Sequence, residues 1–307
     1  MLAVRASHSH GAVQIGMNLP VMVPGLDREP LIAWCRAIDA GPFSTLAAGE
    51  RITFPNPEIV VALSAAAAVT ERVRIMTNVI VLPMHDEIVV AKQLATLDVL
   101  SGGRVVAGVG VGGREEDYRA AGAEWGPGLL RTLAEQVARM RAAWAGEMVV
   151  PGALRPVEPA PVQVGGPPVL AGSLFPKSIR RAARWADGLA GFSMTAETAE
   201  IATAFDTARA AWRAAGRAQP PRLVTGCWFA LGADTEARMA AYLRRYLNFL
   251  GRGAEGVIRG VPTTSAAALR DALRRMADCG ADEVLLVPTT LDLDELARAA
   301  DVCAALV

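Results

Sequence analysis

Two kinds of apolar segment alternate along the chain. Short runs rich in β-branched residues, such as residues 74–82 and 104–111, are typical of parallel strands covered on both faces. Longer segments, such as residues 86–100 and 129–145, carry apolar residues at three- and four-residue steps and are typical of helices. Further strands are predicted at residues 13–19, 43–48, 169–171, 188–192, 222–231 and 283–287.

The alternation of strands and helices predicts the fold class. Each pair of parallel strands needs a crossover connection, and eight strand-and-helix units close most economically into a ring. We therefore predict an α/β protein with a single (β/α)8 TIM barrel over residues 13–307. A doubly wound open sheet is the alternative. Residues 1–12, which contain His8 and His10, are predicted to form a disordered leader.

Three stretches interrupt the alternation. Residues 151–168 are dense in proline and predict an irregular loop insertion after the fourth helix, either a functional surface loop or a plain excursion over the barrel. Residues 114–128 begin with polar residues and lack an apolar stripe, so we expect a loop there. These two stretches are expected to select the substrate. Residues 251–260 are expected to be a glycine-rich turn.

Composition and charge narrow the classes of function. Lys plus Arg and Asp plus Glu number 31 each, so no global field favours nucleic acid or a membrane surface. No apolar run approaches the roughly 18 residues of a membrane span, and we expect a cytoplasmic protein. We predict no metal site, because no His, Cys or carboxylate cluster has suitable spacing. Four widely spaced cysteines are expected to be buried free thiols: Cys35, Cys227, Cys279 and Cys303.

In a TIM barrel the site lies at the carboxyl ends of the strands, and glycines follow the strand at residues 104–111. Gly110 and Gly112 remove side chains, which would let a flat ring approach the backbone; tight turning alone is the alternative. A Rossmann dinucleotide site needs a helix directly after such glycines. The polar stretch at residues 114–119 argues against one.

A phosphate cradle is predicted after the fifth strand. Ala171, Gly172 and Ser173 offer backbone N–H groups and a hydroxyl, and Lys177 and Ser178 lie at the start of the next helix. Alternatively, Ser178 only caps the helix and Lys177 is a solvated charge.

Three further polar residues are candidates for catalysis. Glu50 and Arg51 follow the second strand. Arg51 stays protonated and cannot be a general base, but it could stabilise a bound anion or an acidic substrate. The alternative is a salt bridge between the two. His85 follows the third strand, and the alternative to a catalytic role is that it is only a cap or loop residue.

Several motifs carry a resemblance to a known family. The segments ALSAAAAVTERVRIMTNVIVLP, AKQLATLDVLSGGRVVAGVGVGGREEDYRAAG, GPPVLAG and RRAARWADGLAGF resemble the luciferase-like monooxygenases, barrel proteins that use reduced flavin or a 5-deazaflavin coenzyme. The resemblance runs in collinear order from about residue 13 to residue 287.

The resemblance implies roles for particular residues. In the family, a strand bulge with a non-prolyl cis peptide supports the flavin ring, and the matching bond joins Asn78 to Val79. The loop after strand five contacts the cofactor phosphate, and the usual Gly-Gly is replaced here by Ala171-Gly172. Many members have an acid followed by His after strand two, where this chain has Glu50 followed by Arg51.

The resemblance also implies a function. We expect a flavin-dependent monooxygenase that uses reduced FMN and oxygen on a small organic substrate, with a separate flavin reductase as the partner that supplies the reduced FMN. The alternatives are a hydride-transfer enzyme that uses the deazaflavin coenzyme F-420, and a flavin-binding barrel without catalysis. The apolar helices at residues 57–70 and 86–100 predict a homodimer, because one barrel wall would leave them partly uncovered.

Overall fold

The computed structural model describes residues 12–306, which form one closed barrel of eight parallel strands in sequence order. The leader predicted at residues 1–12, with His8 and His10, lies almost entirely outside the described residues. The strands are β1 (Gln14–Asn18), β2 (Thr45–Ala48), β3 (Arg74–Val81), β4 (Val105–Gly110), β5 (Val169–Gly172), β6 (Gly188–Ala190), β7 (Arg222–Phe229) and β8 (Glu283–Pro288). The predicted TIM barrel is confirmed, and the open sheet is wrong, because β1 pairs with β8.

Helices follow the strands and cover the outside of the barrel. They are α1 (Arg28–Ala40), α2 (Ile59–Val69), α3 (Glu87–Ser101), α4 (Glu115–Ala121), α5 (Leu129–Trp144), α6 (Pro176–Ala182), α7 (Thr198–Ala214), α8 (Thr235–Tyr246), α9 (Ala254–Gly260), α10 (Ala266–Asp278) and α11 (Leu293–Ala304). None of the helices within residues 12–306 combines the length and the apolar character needed to cross a membrane.

Two predictions of irregular structure are wrong. Residues 114–128 contain α4, and residues 251–260 contain α9. Each helix has seven residues and buries few of them. Neither segment therefore shows the repeated apolar positions from which a helix can be predicted. In α4 the buried residues are Asp117 and Tyr118. By contrast, the prediction of irregular structure at residues 151–168 is confirmed.

Local chemistry fixes the ends of the longer helices. The side chain of Asp86 accepts hydrogen bonds from the backbone N–H groups of Ile88 and Val89, which begins α3. Gly102 ends the same helix in the left-handed conformation, with φ of 65°. These signals are visible in the sequence, and the predicted α3 is therefore confirmed to within a residue or two.

The core has two layers. Inside the barrel, β2 to β8 each contribute one buried apolar side chain, and Leu285 fills the space beside Gly16 of β1. These residues are Ala47, Met76, Val106, Leu170, Ala190, Val224 and Leu285. A larger apolar layer lies between the strands and the helices, and it includes Cys35, Cys227 and Cys303. Cys279 is only partly buried, and the described chain has no disulfide.

A buried carboxylate closes the amino-terminal end of the barrel. Glu283 is 1% exposed and accepts hydrogen bonds from the hydroxyls of Ser44 and Thr45. It also pairs with Arg74 at 3.1 Å and with Arg222 at 2.7 Å. Burial by itself raises the pKa of Glu283, but the two arginines and two hydroxyls outweigh it and hold the pKa below its ordinary value. This end of the barrel is therefore filled, and the open end is the opposite one.

Candidate functional site

A cavity of about 440 Å³, here called the main cavity, opens at the carboxyl ends of the strands. Its walls are apolar and aromatic for the most part, with a few polar groups on one side. The lining includes Asn18, Met22, Asn78, Val79, Gly110, Gly112, Arg114, Gly172, Ser173, Phe175, Ser178, Phe192, Trp228, Tyr242, Tyr246 and Phe249. This is the volume and character of a site for a small organic ligand or cofactor.

The floor of the main cavity is an irregular segment of β3. The register between β3 and β4 shifts between Thr77 and Ile80, and the peptide bond between Asn78 and Val79 is cis, as the resemblance implied. The Nδ2 group of Asn78 donates to Oδ1 of Asn18 at 3.2 Å. Asn18 in turn donates to the carbonyl of Leu286. Asn78 of β3 is therefore held by residues of β1 and β8, which are not adjacent to β3 in the barrel.

The glycines of β4 and β5 make room for this segment. A Cβ atom on Gly108 would lie 2.1 Å from the carbonyl oxygen of Thr77. On Gly110 it would lie 3.0 Å from a methyl group of Val79, and on Gly172 it would lie 3.1 Å from both methyl groups. We expected Gly110 to leave space for a ring. Part of that space is filled by Val79, which therefore stands between the glycines and any ligand.

Gly112 has a different reason for being glycine. Its φ is 63°, in the left-handed region, and a Cβ atom there would lie 2.9 Å from a methyl group of Val81. Nothing lies within 4 Å of the corresponding position on Gly113. The tight turning that was the alternative interpretation therefore applies to Gly112, together with close packing.

The structure brings together only part of the predicted phosphate cradle. Gly172, Ser173 and Ser178 line the main cavity. The hydroxyl of Ser178 donates to the carbonyl of Phe175 at 2.8 Å, whereas the Ser173 side chain has no hydrogen bond within residues 12–306. Ser178 lies inside α6, which begins without a side-chain cap, so the alternative that Ser178 caps the helix is wrong. Ala171 is buried in β5, and Lys177 is exposed; neither lines the cavity. Ser173 is thus the hydroxyl that remains free to bind a ligand.

A second cavity of about 140 Å³, here called the side cavity, adjoins the main cavity. The two cavities share seven lining residues: Met22, Gly49, Asn78, Val79, Gly112, Arg114 and Tyr246. The side cavity is more polar, and the predicted residues Glu50 and Arg51 line it together with Asp117. The candidate charges therefore lie beside the main cavity and outside its wall.

Arg51 is buried and pairs with α4. Its Nε donates to Oδ2 of Asp117 at 2.5 Å, and its Nη2 lies 3.3 Å from Glu116. Asp117 also accepts from the backbone N–H and the hydroxyl of Thr53, each at 2.7 Å. Burial raises the pKa of Asp117, but Arg51 and Thr53 outweigh it and leave the pKa below its ordinary value. The alternative of a salt bridge between Glu50 and Arg51 is wrong.

Glu50 pairs with His85 instead. Oε1 of Glu50 lies 2.9 Å from Nε2 of His85, and Oε2 accepts from the backbone N–H of Val81 at 2.7 Å. The hydrogen bond to Glu50 raises the pKa of His85 above its ordinary 6.5, although burial works in the opposite direction. His85 lines neither cavity, so it reaches the site only through Glu50.

Sequence reasoning missed the aromatic wall of the main cavity. Phe192 and Trp228 meet edge to face with ring centroids 4.6 Å apart, and Trp228 meets Tyr246 at 6.0 Å. Tyr242 stacks on Tyr246 at 5.9 Å. The four-residue step between the two tyrosines of α8 was the available signal, because it places both on one face of the helix.

The two stretches expected to select the substrate differ in their position. Arg114, Asp117 and Tyr118 line the side cavity, so residues 114–128 adjoin the candidate site. Residues 151–168 line neither cavity. Gln163 donates to Asp98 of α3 and to the carbonyl of Val105, at the amino-terminal end of β4, which holds this segment away from the site. Within residues 12–306 there is no cluster of three or more potential metal ligands.

The sequence model of the luciferase-like monooxygenases matches residues 13–283. The chain belongs to the luciferase-like monooxygenase family. Among individual relatives, the uncharacterized protein Rv0953c of Mycobacterium tuberculosis is 37% identical over 172 residues, which are 53% of this chain and 59% of that protein. The match thus spans about three fifths of the length of that curated relative.

Solved structures of a dehydrogenase and two monooxygenases share the barrel. An F420-dependent secondary alcohol dehydrogenase, solved with an F420-acetone adduct, superposes with a TM-score of 0.80 at 17% identity and covers 97% of this chain and 100% of its own. The monooxygenase RslO1 of Streptomyces bottropensis gives 0.76 at 20% identity, over 96% and 98% of the two chains. A type II Baeyer-Villiger monooxygenase of Pseudomonas putida, in complex with FMN, gives 0.73 at 17% identity, over 97% and 98%.

Replacing His85 by Gln is expected to remove a pH-dependent part of the stability of this luciferase-like barrel. Because the folded pKa of His85 is raised, its contribution is complete below the ordinary pKa of 6.5 and is lost as pH rises through the folded value. Wild type should therefore exceed the variant by about 1 kcal/mol near pH 5.5, and the difference should shrink towards about pH 9. Urea unfolding at both pH values measures the difference in free energy of unfolding. A difference that does not change with pH would contradict the pairing of His85 with Glu50.

The packing of Val79 against Gly110 predicts a compensating pair of substitutions. Gly110→Ala alone should destabilise the barrel by about 1 to 3 kcal/mol, because the new methyl group meets Val79. Gly110→Ala combined with Val79→Ala should cost less than the sum of the two single changes. Gly113→Ala, with open space around it, is the matched control. If the free energies of unfolding of the two single changes simply add in the double variant, packing against Val79 is not the reason why position 110 is glycine.

Proposed function

We propose that this protein is a flavin-dependent monooxygenase that binds reduced FMN in the main cavity and oxidises a small organic substrate with oxygen. The observation that carries the proposal is the main cavity itself, which has apolar and aromatic walls at the carboxyl ends of the strands and the hydroxyl of Ser173 beside them. A flat tricyclic ring fits such walls, and a phosphate fits the segment after β5. The structure with FMN named above belongs to a monooxygenase of the same fold.

In this proposal, different residues of the main cavity contact the ring and the phosphate of FMN. Val79 and Asn78 form the floor under the ring, while Gly110 and Gly172 let that floor approach β4 and β5. Ser173 and Ser178 lie on the phosphate side, and the aromatic wall excludes water from the reacting face. A bound reduced flavin supplies the electrons for the oxidation chemistry. The protein contributes orientation and a dry environment.

The composition of the main cavity's lining favours oxygen-dependent oxidation by a flavin over oxidation of an alcohol by hydride transfer. Among the lining residues there is no Asp, Glu, His, Cys or Lys. A hydride-transfer enzyme that oxidises an alcohol needs a base for the hydroxyl proton. Arg114 cannot act as one, and burial raises the pKa of Tyr242, which disfavours its ionised form. Glu50 and Asp117 lie in the side cavity with their oxygens already hydrogen-bonded. The F-420-dependent alternative is supported by the fold of the secondary alcohol dehydrogenase.

Absorbance titration followed by turnover tests the choice. We expect FMN to bind, and purified protein supplied with FMN and a separate flavin reductase to consume oxygen in the presence of a substrate. Selective tight binding of F-420 would overturn the FMN assignment. Binding of FMN without turnover across a broad panel of substrates would instead support a flavin-binding barrel without catalysis.

Ser173→Ala tests which part of the cavity meets the cofactor phosphate. Loss of a hydrogen bond to a charged group should weaken the binding of FMN about tenfold. Riboflavin has the same ring without the phosphate, so its affinity should stay unchanged. Equal effects on both flavins would place the phosphate elsewhere.

We also propose that the protein forms a homodimer through α2 and α3. Val61 of α2 is 69% exposed and Val89 of α3 is 54% exposed, on helices that pack side by side. Wild type should sediment as a dimer at micromolar concentration, and Val61→Glu with Val89→Glu should sediment as a monomer. Leu154→Glu, at an exposed position of residues 151–168, is the control. A monomeric wild type would refute the proposal.

A further inference from the structure

The side cavity contains hydrogen-bond donors that lack acceptors. Arg51 is only 7% exposed, and its Nη1 is buried without a partner among residues 12–306. Nε of Arg114 is likewise buried and unpartnered. Both residues line the side cavity. Burying such groups without partners is unfavourable, so an acceptor that enters the side cavity would be bound by both.

Charge balance identifies the kind of acceptor. Arg51 is paired with Asp117 and Glu116, and Glu50 is paired with His85. Arg114 has no ion pair with a carboxylate of the described chain; its Nη2 donates to the carbonyl of Tyr246 at 2.8 Å. Its guanidinium is therefore a positive charge to which no carboxylate of the described residues is bonded.

The surroundings of Arg114 hold it in place. Its guanidinium carbon lies 4.7 Å from the ring centroid of Tyr246 and 4.3 Å from that of Phe249. Burial lowers the pKa of Arg114, and the nearby charge of Arg51 works in the same direction, while Tyr246 and Asp117 oppose them without reversing the shift. Both groups would gain from an anion placed between them.

Arg114 also connects the two cavities, because it lines both. A molecule that reacts in the main cavity can therefore extend a short polar end into the side cavity, past Asn78, Val79 and Gly112. The volume of about 140 Å³ suits a group of a few atoms. The apolar part of such a molecule would stay against the aromatic wall.

We propose that the side cavity is a subsite for a carboxylate carried by the substrate, bound by Arg114 and Arg51. This inference rests on the proposed function, because the substrate in question is the molecule that reacts in the main cavity. It assigns the substrate to the class of small, largely apolar or aromatic carboxylic acids. A planar guanidinium binds a carboxylate with charge-assisted hydrogen bonds, which gives the site its specificity.

Isothermal titration calorimetry with benzoate and benzamide tests the subsite. The two probes have similar shape and differ in charge. Wild-type protein, with and without FMN, should bind benzoate about tenfold more tightly than benzamide. Equal affinities, or no measurable binding of benzoate, would overturn the proposal.

Variants of Arg114 locate the effect. Arg114→Met should abolish the preference for benzoate, and Arg114→Lys, which keeps the charge, should retain part of it. Arg274→Met changes an exposed arginine of α10 and should leave the preference intact. Arg51 is unsuitable as the main test, because its removal would leave Asp117 buried and unpaired. If Arg114→Met still prefers benzoate over benzamide as strongly as wild type does, the proposal is overturned.

The affinity for FMN, measured in the same variants, separates the two proposals. If Arg114→Met weakens FMN about tenfold while the benzoate preference persists, the anion bound there belongs to the cofactor and the substrate subsite is wrong. If wild type binds FMN and shows no preference for benzoate, only the subsite fails. If wild type prefers benzoate but binds no flavin, the proposed function fails and the anion site remains.

Discussion

The contact between the irregular segment of β3 and the glycines of β4 and β5 determines the geometry of the site. The carbonyl of Thr77 lies so close to Gly108 that no side chain fits between them, and Val79 lies against Gly110 and Gly172. Because this segment forms the floor of the main cavity, its position sets the depth of the cavity and the place of Asn78. A larger residue at any of these glycines would push the floor into the space that a ligand needs.

The barrel separates apolar binding from charge. The main cavity has aromatic walls, whereas the side cavity holds Glu50, Arg51 and Asp117. Charged groups so far from water are stable only in pairs, and His85 with Glu50 and Arg51 with Asp117 are such pairs. Arg114 is the exception among the charges that line the cavities, and it lies where they meet. A ligand that spans both cavities would therefore meet apolar surface at one end and a positive charge at the other.

The sequence predicted the barrel and much of the floor for clear physical reasons. Buried parallel strands give apolar runs, and caps such as Asp86 and Gly102 mark helix ends locally. The place of the cis bond came from the resemblance. The partners of the charged residues could not be predicted, because Asp117 lies 66 positions from Arg51 and on a helix too short to show an apolar stripe. The aromatic wall could not be predicted from the strand ends alone, because Tyr242 and Tyr246 belong to α8 and meet Trp228 of β7 only in the folded chain.

The arginine at position 51 changes what the site can do. Many family members have an acidic residue followed by His at this place. This chain has the acidic residue, Glu50, and a histidine, His85, that comes from the loop after the next strand. That histidine lies behind the carboxylate and lines neither cavity. Proton transfer from His85 to a ligand would have to pass through Glu50, whose second oxygen is held by the backbone of Val81. The arrangement favours a reaction in which the protein positions and neutralises charge over one in which it removes a proton from the substrate.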